Sequence, residues 1–145
     1  MGICPDVNNY ESSPMLCDIM NKFTTSTGER VSQATIDRRR KEAYQNAWKI
    51  TVCECCHEEM ATDHDHSISQ ARCKQLHKTE LIWDADNWSA SCRECHSEWE
   101  SYRSGKFEDH KNVVKRMLFV KKHDPQGFEK RRQHLSNYKV MKAIQ

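Results

Sequence analysis

Residues Asp63-His64-Asp65-His66 set two carboxylates and two imidazoles in four consecutive positions. Both groups are ligands for divalent cations, and imidazole is the usual general base near neutral pH. On an extended strand, alternation sets Asp63 and Asp65 on one face and His64 and His66 on the other. Either pair, Asp63/His64 or Asp65/His66, could then bind a cation through its carboxylate while its imidazole takes a proton from water. A further imidazole, His96, directly follows Cys95. An ion held by one Asp and one His keeps positions open for water and phosphate oxygens, so these residue types support metal-assisted phosphodiester hydrolysis. The competing reading is a solvated turn whose histidines serve only as neighbours.

The cysteines supply the means of bringing these residues together. Cys53-x-x-Cys56 and Cys92-x-x-Cys95 each form a turn that can point two thiolates at one metal, and two such turns complete a tetrahedral zinc site. The 35 residues between the pairs leave room for a functional insert. Cys4, Cys17, Cys55 and Cys73 lack a comparable pattern and read as free thiols; Cys73-x-x-x-His77 is a weaker alternative site. Apolar residues make up 37% of the 145, charged residues 30%, and mean hydropathy is −0.94, which leaves little material for a large core. Chains this lean commonly need a staple. With eight cysteines but no apolar leader and no run long enough to span a membrane, zinc in a reducing, cytoplasmic setting is expected rather than disulfides.

Charge is unevenly spread. The net charge of +2 conceals five acids against Lys22 and Arg30 in residues 1–37, and twelve Lys/Arg against four acids from Arg103 onward. A basic arm of this kind suits a polyanion, with a solvated helical surface as the alternative. Residues 1–31 read as an irregular acidic arm with one helical turn near residues 15–23. A helix capped by Ser32 or Thr35 should run to about residue 50, with Ala34, Ala43, Ala47 and Trp48 inward and Arg38, Arg39, Arg40 and Lys41 as a basic patch. A knuckle and strand should follow, then a short strand at Leu81–Trp83 and an Asp/Asn turn. A second knuckle should open a helix that Gly105 ends. In the tail, Val113, Val114, Met117, Leu118 and Val120 mark one helix up to Asp124-Pro125, and Phe128, Leu135, Tyr138 and Met141 a second.

The string CECC…TDHDH…ELIWDADNWSASCRECHSEWE, from Cys53 to Trp99, resembles the HNH endonucleases, the ββα-metal nucleases, in their zinc-knuckle form from phages and mobile elements. The resemblance implies an α+β fold: a small ββα-metal core with a Cys4 structural zinc, flanked by mostly helical extensions. The corresponding division is an arm at 1–31, the helix and nuclease core at 32–104, and a basic helical extension at 105–145. It further implies that Asp63 and His96 bind a catalytic divalent ion (magnesium, manganese or nickel), that His64 is the general base, and that Asn87 braces the loop orienting that base. Cys53, Cys56, Cys92 and Cys95 would hold the zinc. The doubled pair resembles that of phage junction-resolving endonucleases, in which the first pair works; His66 then becomes an auxiliary or phosphate-contacting residue.

Two departures from the family pattern matter. The interval from Asp63 to Asn87 is longer than in compact relatives. Trp99 also stands where many relatives carry a lysine, so a cation at the phosphate must come from Arg72, Lys74, Arg93 or Arg103. The expected activity is nicking or double-strand cleavage of DNA, with the basic patch and C-terminal helices gripping phosphates. Trp83, Trp88 and Trp99 are expected as core around the zinc. The alternative functions are a non-catalytic zinc-dependent DNA-binding or partner-regulating module, or a helix 107–122 that docks a protein partner or a second copy. No membrane association is expected.

Overall fold

The computed structural model describes residues 22–45 and 49–145. Strands β1 (Lys22–Thr24) and β2 (Arg30–Ser32) pair antiparallel, Phe23 opposite Val31, so the last part of the expected irregular arm is a hairpin. Its turn is closed by the Gly28 N–H donating to the Thr25 carbonyl, with Gly28 at a φ of +89° that an L side chain rarely adopts. Apart from Lys22 and Phe23, which are strand, the helical turn expected at 15–23 lies outside the described residues.

Ser32 caps helix α1 (Gln33–Tyr44), its Oγ accepting from the Thr35 N–H at 3.2 Å. The helix face that goes inward carries Ile36, fully buried, whereas Ala34 is exposed and Ala43 only half-buried; Ala47 and Trp48 lie outside the described residues. An alanine face would have buried little, and a single isoleucine does more of that work.

Strands β3 (Asp63–His66) and β4 (Trp88–Ser91) form the central antiparallel hairpin, Asp63 opposite Ser91 and His66 opposite Trp88. Between them run the short helix α2 (Gln70–Gln75) and two 3-10 turns, Thr79–Trp83 and Ala85–Asn87. Leu81–Trp83 is therefore turn rather than strand, because the buried Asn87 amide draws the Leu81 carbonyl to 2.9 Å. Helix α3 (Arg93–Glu100) follows β4 at once, so the chain order here is strand, strand, helix. It stops at Glu100; Gly105, with φ at +78°, ends a separate 3-10 turn, Tyr102–Ser104.

Helix α4 (Val113–His123) buries Val113, Met117 and Val120 but leaves Leu118 exposed. The expected second tail helix is split into α5 (Pro125–Arg132) and α6 (Tyr138–Ala143), since the Asn137 carboxamide caps a new helix start. Phe128 and Leu135 are buried as expected, but Tyr138 and Met141 face outward, and Val140 and Ile144 take the inner positions. The main core joins β2, α1, the insert and the three tail helices around Ile82, Trp99, Phe107 and Met117; Cys53, Cys55, Cys92 and Cys95 form a separate buried cluster. Trp99 thus belongs to the main core and not to the surroundings of the cysteines, Trp88 packs against His64, and Trp83 lies under Arg39. Among the described residues no helix is long and apolar enough to cross a membrane.

Candidate metal and catalytic site

The sulfur atoms of Cys53, Cys56, Cys92 and Cys95 all lie within 4.8 Å of one another, so the four could hold one metal ion. Their arrangement is prepared by the backbone. The N–H of Cys55 donates to Cys53 Sγ and that of Cys95 to Cys92 Sγ, each at 3.4 Å. Burial opposes ionisation of Cys53, but backbone N–H donors from Cys92, Cys56 and Cys55 bring its thiol down to about 7, while burial and the neighbouring Cys53 push the Cys92 and Cys95 thiols up, so one thiolate is favoured ahead of the others. Four soft sulfur donors in a closed, buried cluster match a structural zinc. Cys55, by contrast, points away toward Ser91 Oγ at 3.6 Å, and burial pushes its thiol up to about 11. Cys73 is buried against Ile68 and Asn87.

The cysteine cluster ties the segment before β3 to the start of α3, and this brings His96 onto Asp63. His96 Nδ1 lies 2.8 Å from Asp63 Oδ2. This is a direct hydrogen-bond distance; neighbouring ligands of an octahedral ion, each at about 2.1 Å, also stand about 3 Å apart, so the same two atoms are close enough to share a divalent cation in place of the proton. Arg93, largely exposed, sits on the same carboxylate with Nε 2.9 Å from Oδ2. Burial opposes ionisation of the Asp63 carboxyl, but His96, Thr62 and Arg93 together outweigh it and hold the group below the ordinary range. On its other nitrogen His96 meets Glu100, 3.0 Å away.

Asp65 has a different fate. Its carboxylate is buried and gripped by Arg116 from α4 through Nη1 at 2.9 Å and Nη2 at 3.0 Å, with Ser91 Oγ donating to it at 3.0 Å. Arg116 also donates from Nε to Ser67 Oγ and lies 3.8 Å from the Trp99 ring centre. The two acids of the doubled motif therefore share one strand face, as alternation requires, but Asp65 is paired with a buried guanidinium whereas Asp63 is paired with His96 and with the largely exposed Arg93.

The histidines differ likewise. His64 is half-buried, stacked on Tyr44 with ring centres 4.0 Å apart and edge-on to Trp88 at 5.4 Å. Burial first, then Arg40, depress its pKa, which favours the neutral imidazole. His66 Nε2 lies 2.9 Å from the Ile82 carbonyl and 3.1 Å from the Tyr44 hydroxyl. His64, His66 and His96 nevertheless open onto one cleft of about 490 Å³ that Gln70, Tyr102 and Arg131 also line.

Asn87 is fully buried. Its Oδ1 accepts from the Ile68 N–H at 2.8 Å, and its Nδ2 donates to the Ile68 and Leu81 carbonyls at 3.0 and 2.9 Å. It staples both ends of the insert to the hairpin, a placement from which it can position a neighbouring residue but cannot reach a substrate.

The basic residues separate by what already holds them. Arg72 makes a bidentate pair with Asp124, both contacts at 2.9 Å, and Lys74 donates to Gln33 Oε1 at 2.7 Å while lying over Phe23. Arg39 pairs with Glu29 and stacks on Trp83; Arg40 lies near Asp37 and Tyr44. Arg38, Lys41 and Arg103 are exposed. Tyr44, Arg116 and Arg131 were not singled out by sequence pattern. Each reaches the site from an element far away in the chain, and only the fold supplies that contact. No family model matches the chain, and neither the curated proteins nor the solved structures contain a match to it.

Proposed function

We propose that the protein is a metal-dependent endonuclease of HNH type that hydrolyses phosphodiester bonds of DNA. The observation that carries this reading is the meeting of Asp63 with His96 at 2.8 Å beside a half-buried His64, all tied to the buried cysteine cluster. A non-catalytic zinc module would need no such grouping.

In this reading Asp63 and His96 hold the divalent ion, which supplies positive charge to the phosphate as negative charge develops on it. His64, kept neutral by burial and by Arg40, takes the proton from the attacking water. Tyr44 fixes the imidazole plane by stacking, and Asn87 sets the course of the chain just beyond β3. Asp63/His64 is the working pair because Asp65 is committed to Arg116 and the His66 ring to the Ile82 carbonyl. His66 supports the wall of the cleft. Arg38 and Lys41 on α1, with Arg93 and Arg103, offer exposed charge for flanking phosphates.

The test is supercoiled plasmid with magnesium, manganese or nickel, wild type beside His64→Ala and His66→Ala. Wild type should convert the plasmid to nicked or linear form and His64→Ala should lose about a hundredfold or more of that rate, the scale of a missing general base. An intact plasmid with every metal would sink the enzyme reading, and a fully active His64→Ala beside an inert His66→Ala would transfer the role to His66.

A further inference from the structure

Among the described residues, buried and half-buried guanidinium groups are, with one exception, matched to carboxylates. Arg116 has Asp65, Arg72 has Asp124 and Arg39 has Glu29. Arg131, on α5, is the exception: among the described residues no carboxylate pairs with it. Its Nη1 donates to the Trp99 carbonyl at 2.8 Å, and the guanidinium carbon lies 3.9 Å from the Trp99 ring centre and 4.6 Å from that of Tyr102. Packing of this kind fixes the fork in place while satisfying one of its five N–H groups. The remaining donors have no protein partner among the described residues, so a cation has been desolvated without an anion.

Its location gives that charge a purpose. Arg131 lines the cleft of about 490 Å³ that holds His64 and His96, and also a neighbouring cleft of about 240 Å³ lined by Arg72 and Lys130. Ser67, Ser69 and Tyr102 line both clefts with it. A strand passing from one cleft to the other would carry its backbone across this guanidinium, which matches two phosphate oxygens at once.

We infer that Arg131 forms a binding site for a backbone phosphate of DNA, adjacent to the phosphate that is cut. This rests on the nuclease reading. The site also places a cation beside Trp99, the position that brings none of its own, and does so from the C-terminal extension rather than from the ββα segment. The extension is thus part of the substrate cleft.

The experiment measures binding of a labelled DNA duplex to the full-length, zinc-loaded protein without added divalent ion, across a salt series, alongside plasmid cleavage. Arg131→Gln should weaken binding about tenfold and reduce the slope of log affinity against log salt by about one. Arg132→Gln removes an equal charge from the same helix, but Arg132 is exposed and paired with Glu129, so affinity should change less than about twofold. Equal effects of the two substitutions, or an unchanged salt slope for Arg131→Gln, would overturn the assignment. Because Arg131 also packs on Trp99, the wild-type protein provides a second reading. Bound DNA should protect Arg131 from phenylglyoxal about fivefold or more while leaving Arg132 reactive, and no protection overturns the site. Wild type that neither binds nor cuts DNA would take down the nuclease reading; wild type and Arg131→Gln that bind and cut alike would take down only the phosphate site.

Discussion

Two aspartates two residues apart in one strand have opposite environments, and the partner of each decides its role. Asp65 and Arg116 have side chains only 1% and 2% exposed, and the carboxylate takes two hydrogen bonds from the guanidinium and one from Ser91 Oγ. Removing one partner strands a buried charge, so Arg116→Met should cost about 3–5 kcal/mol in urea unfolding. Asp65→Asn combined with Arg116→Met should recover part of that loss, since the uncompensated charge is gone; a double variant as unstable as the single one would contradict this account. Under the proposed nuclease function, cleavage should separate the acids in the other direction. Asp63→Asn should lower plasmid cleavage by about a hundredfold or more, at least what loss of an outer-shell metal partner costs, with zinc content unchanged. Asp65→Asn should retain activity at temperatures where it is folded. Cleavage lost with Asp65→Asn but kept with Asp63→Asn would reverse the roles.

Asp124 shows the same logic in the joining of elements. It is nearly buried, caps α5 by accepting the Gly127 N–H at 3.1 Å, and receives the bidentate pair from Arg72, so it couples insert helix α2 to the junction of α4 and α5. Any side chain at Gly127 would collide with this carboxylate, which explains the glycine inside a helix. Burial raises the Asp124 pKa, but Arg72 and the Gly127 N–H outweigh it and the folded value is depressed. A depressed carboxyl contributes stability that is present above its unfolded pKa of about 4 and is lost as pH falls through the folded value. Asp124→Asn should therefore lower stability at neutral pH by about 2–4 kcal/mol and flatten the acid limb of urea unfolding below about pH 4. An acid limb of unchanged steepness would reject the assignment. Local signals made some of these elements legible: the Ser32 cap, the Asp124-Pro125 break, the cysteine spacing and the Val113, Met117, Val120 stripe. Leu118 was misplaced because it sits about 100° around the helix from Met117. The turn at Leu81–Trp83 reads as a strand because its apolar run resembles one, whereas the Asn87 amide six residues on holds the Leu81 carbonyl. Arg116 and Arg131 are not legible in the sequence because their partners Asp65 and Trp99 lie 51 and 32 residues away.

For the molecule as a whole, the apolar core and the cysteine cluster are separate bodies joined through the β3–β4 hairpin and α3. The larger one gathers Ile36, Ile82, Phe107, Met117, Phe128 and Ile144 from elements that contribute no side chain to the cysteine cluster. Small zinc domains usually unfold entirely when the metal is removed, because the metal is their core. Here the tail helices and the insert keep an apolar interior of their own, whereas the path from Cys53 to β3 and the start of α3 has sulfur at its centre. Stripping the metal with a strong chelator, or replacing Cys92 with Ser, should lower zinc from about one per chain to near zero. It should also abolish plasmid cleavage, because His96 is no longer held against Asp63. More than half of the helical circular dichroism should survive, since among the described helices only α3 begins inside the cluster. Thermal unfolding should then lose its single sharp transition. Complete loss of helical signal on chelation would show that the two bodies fold as one unit. Full activity in zinc-free protein would show that the hairpin holds His96 in place without the metal.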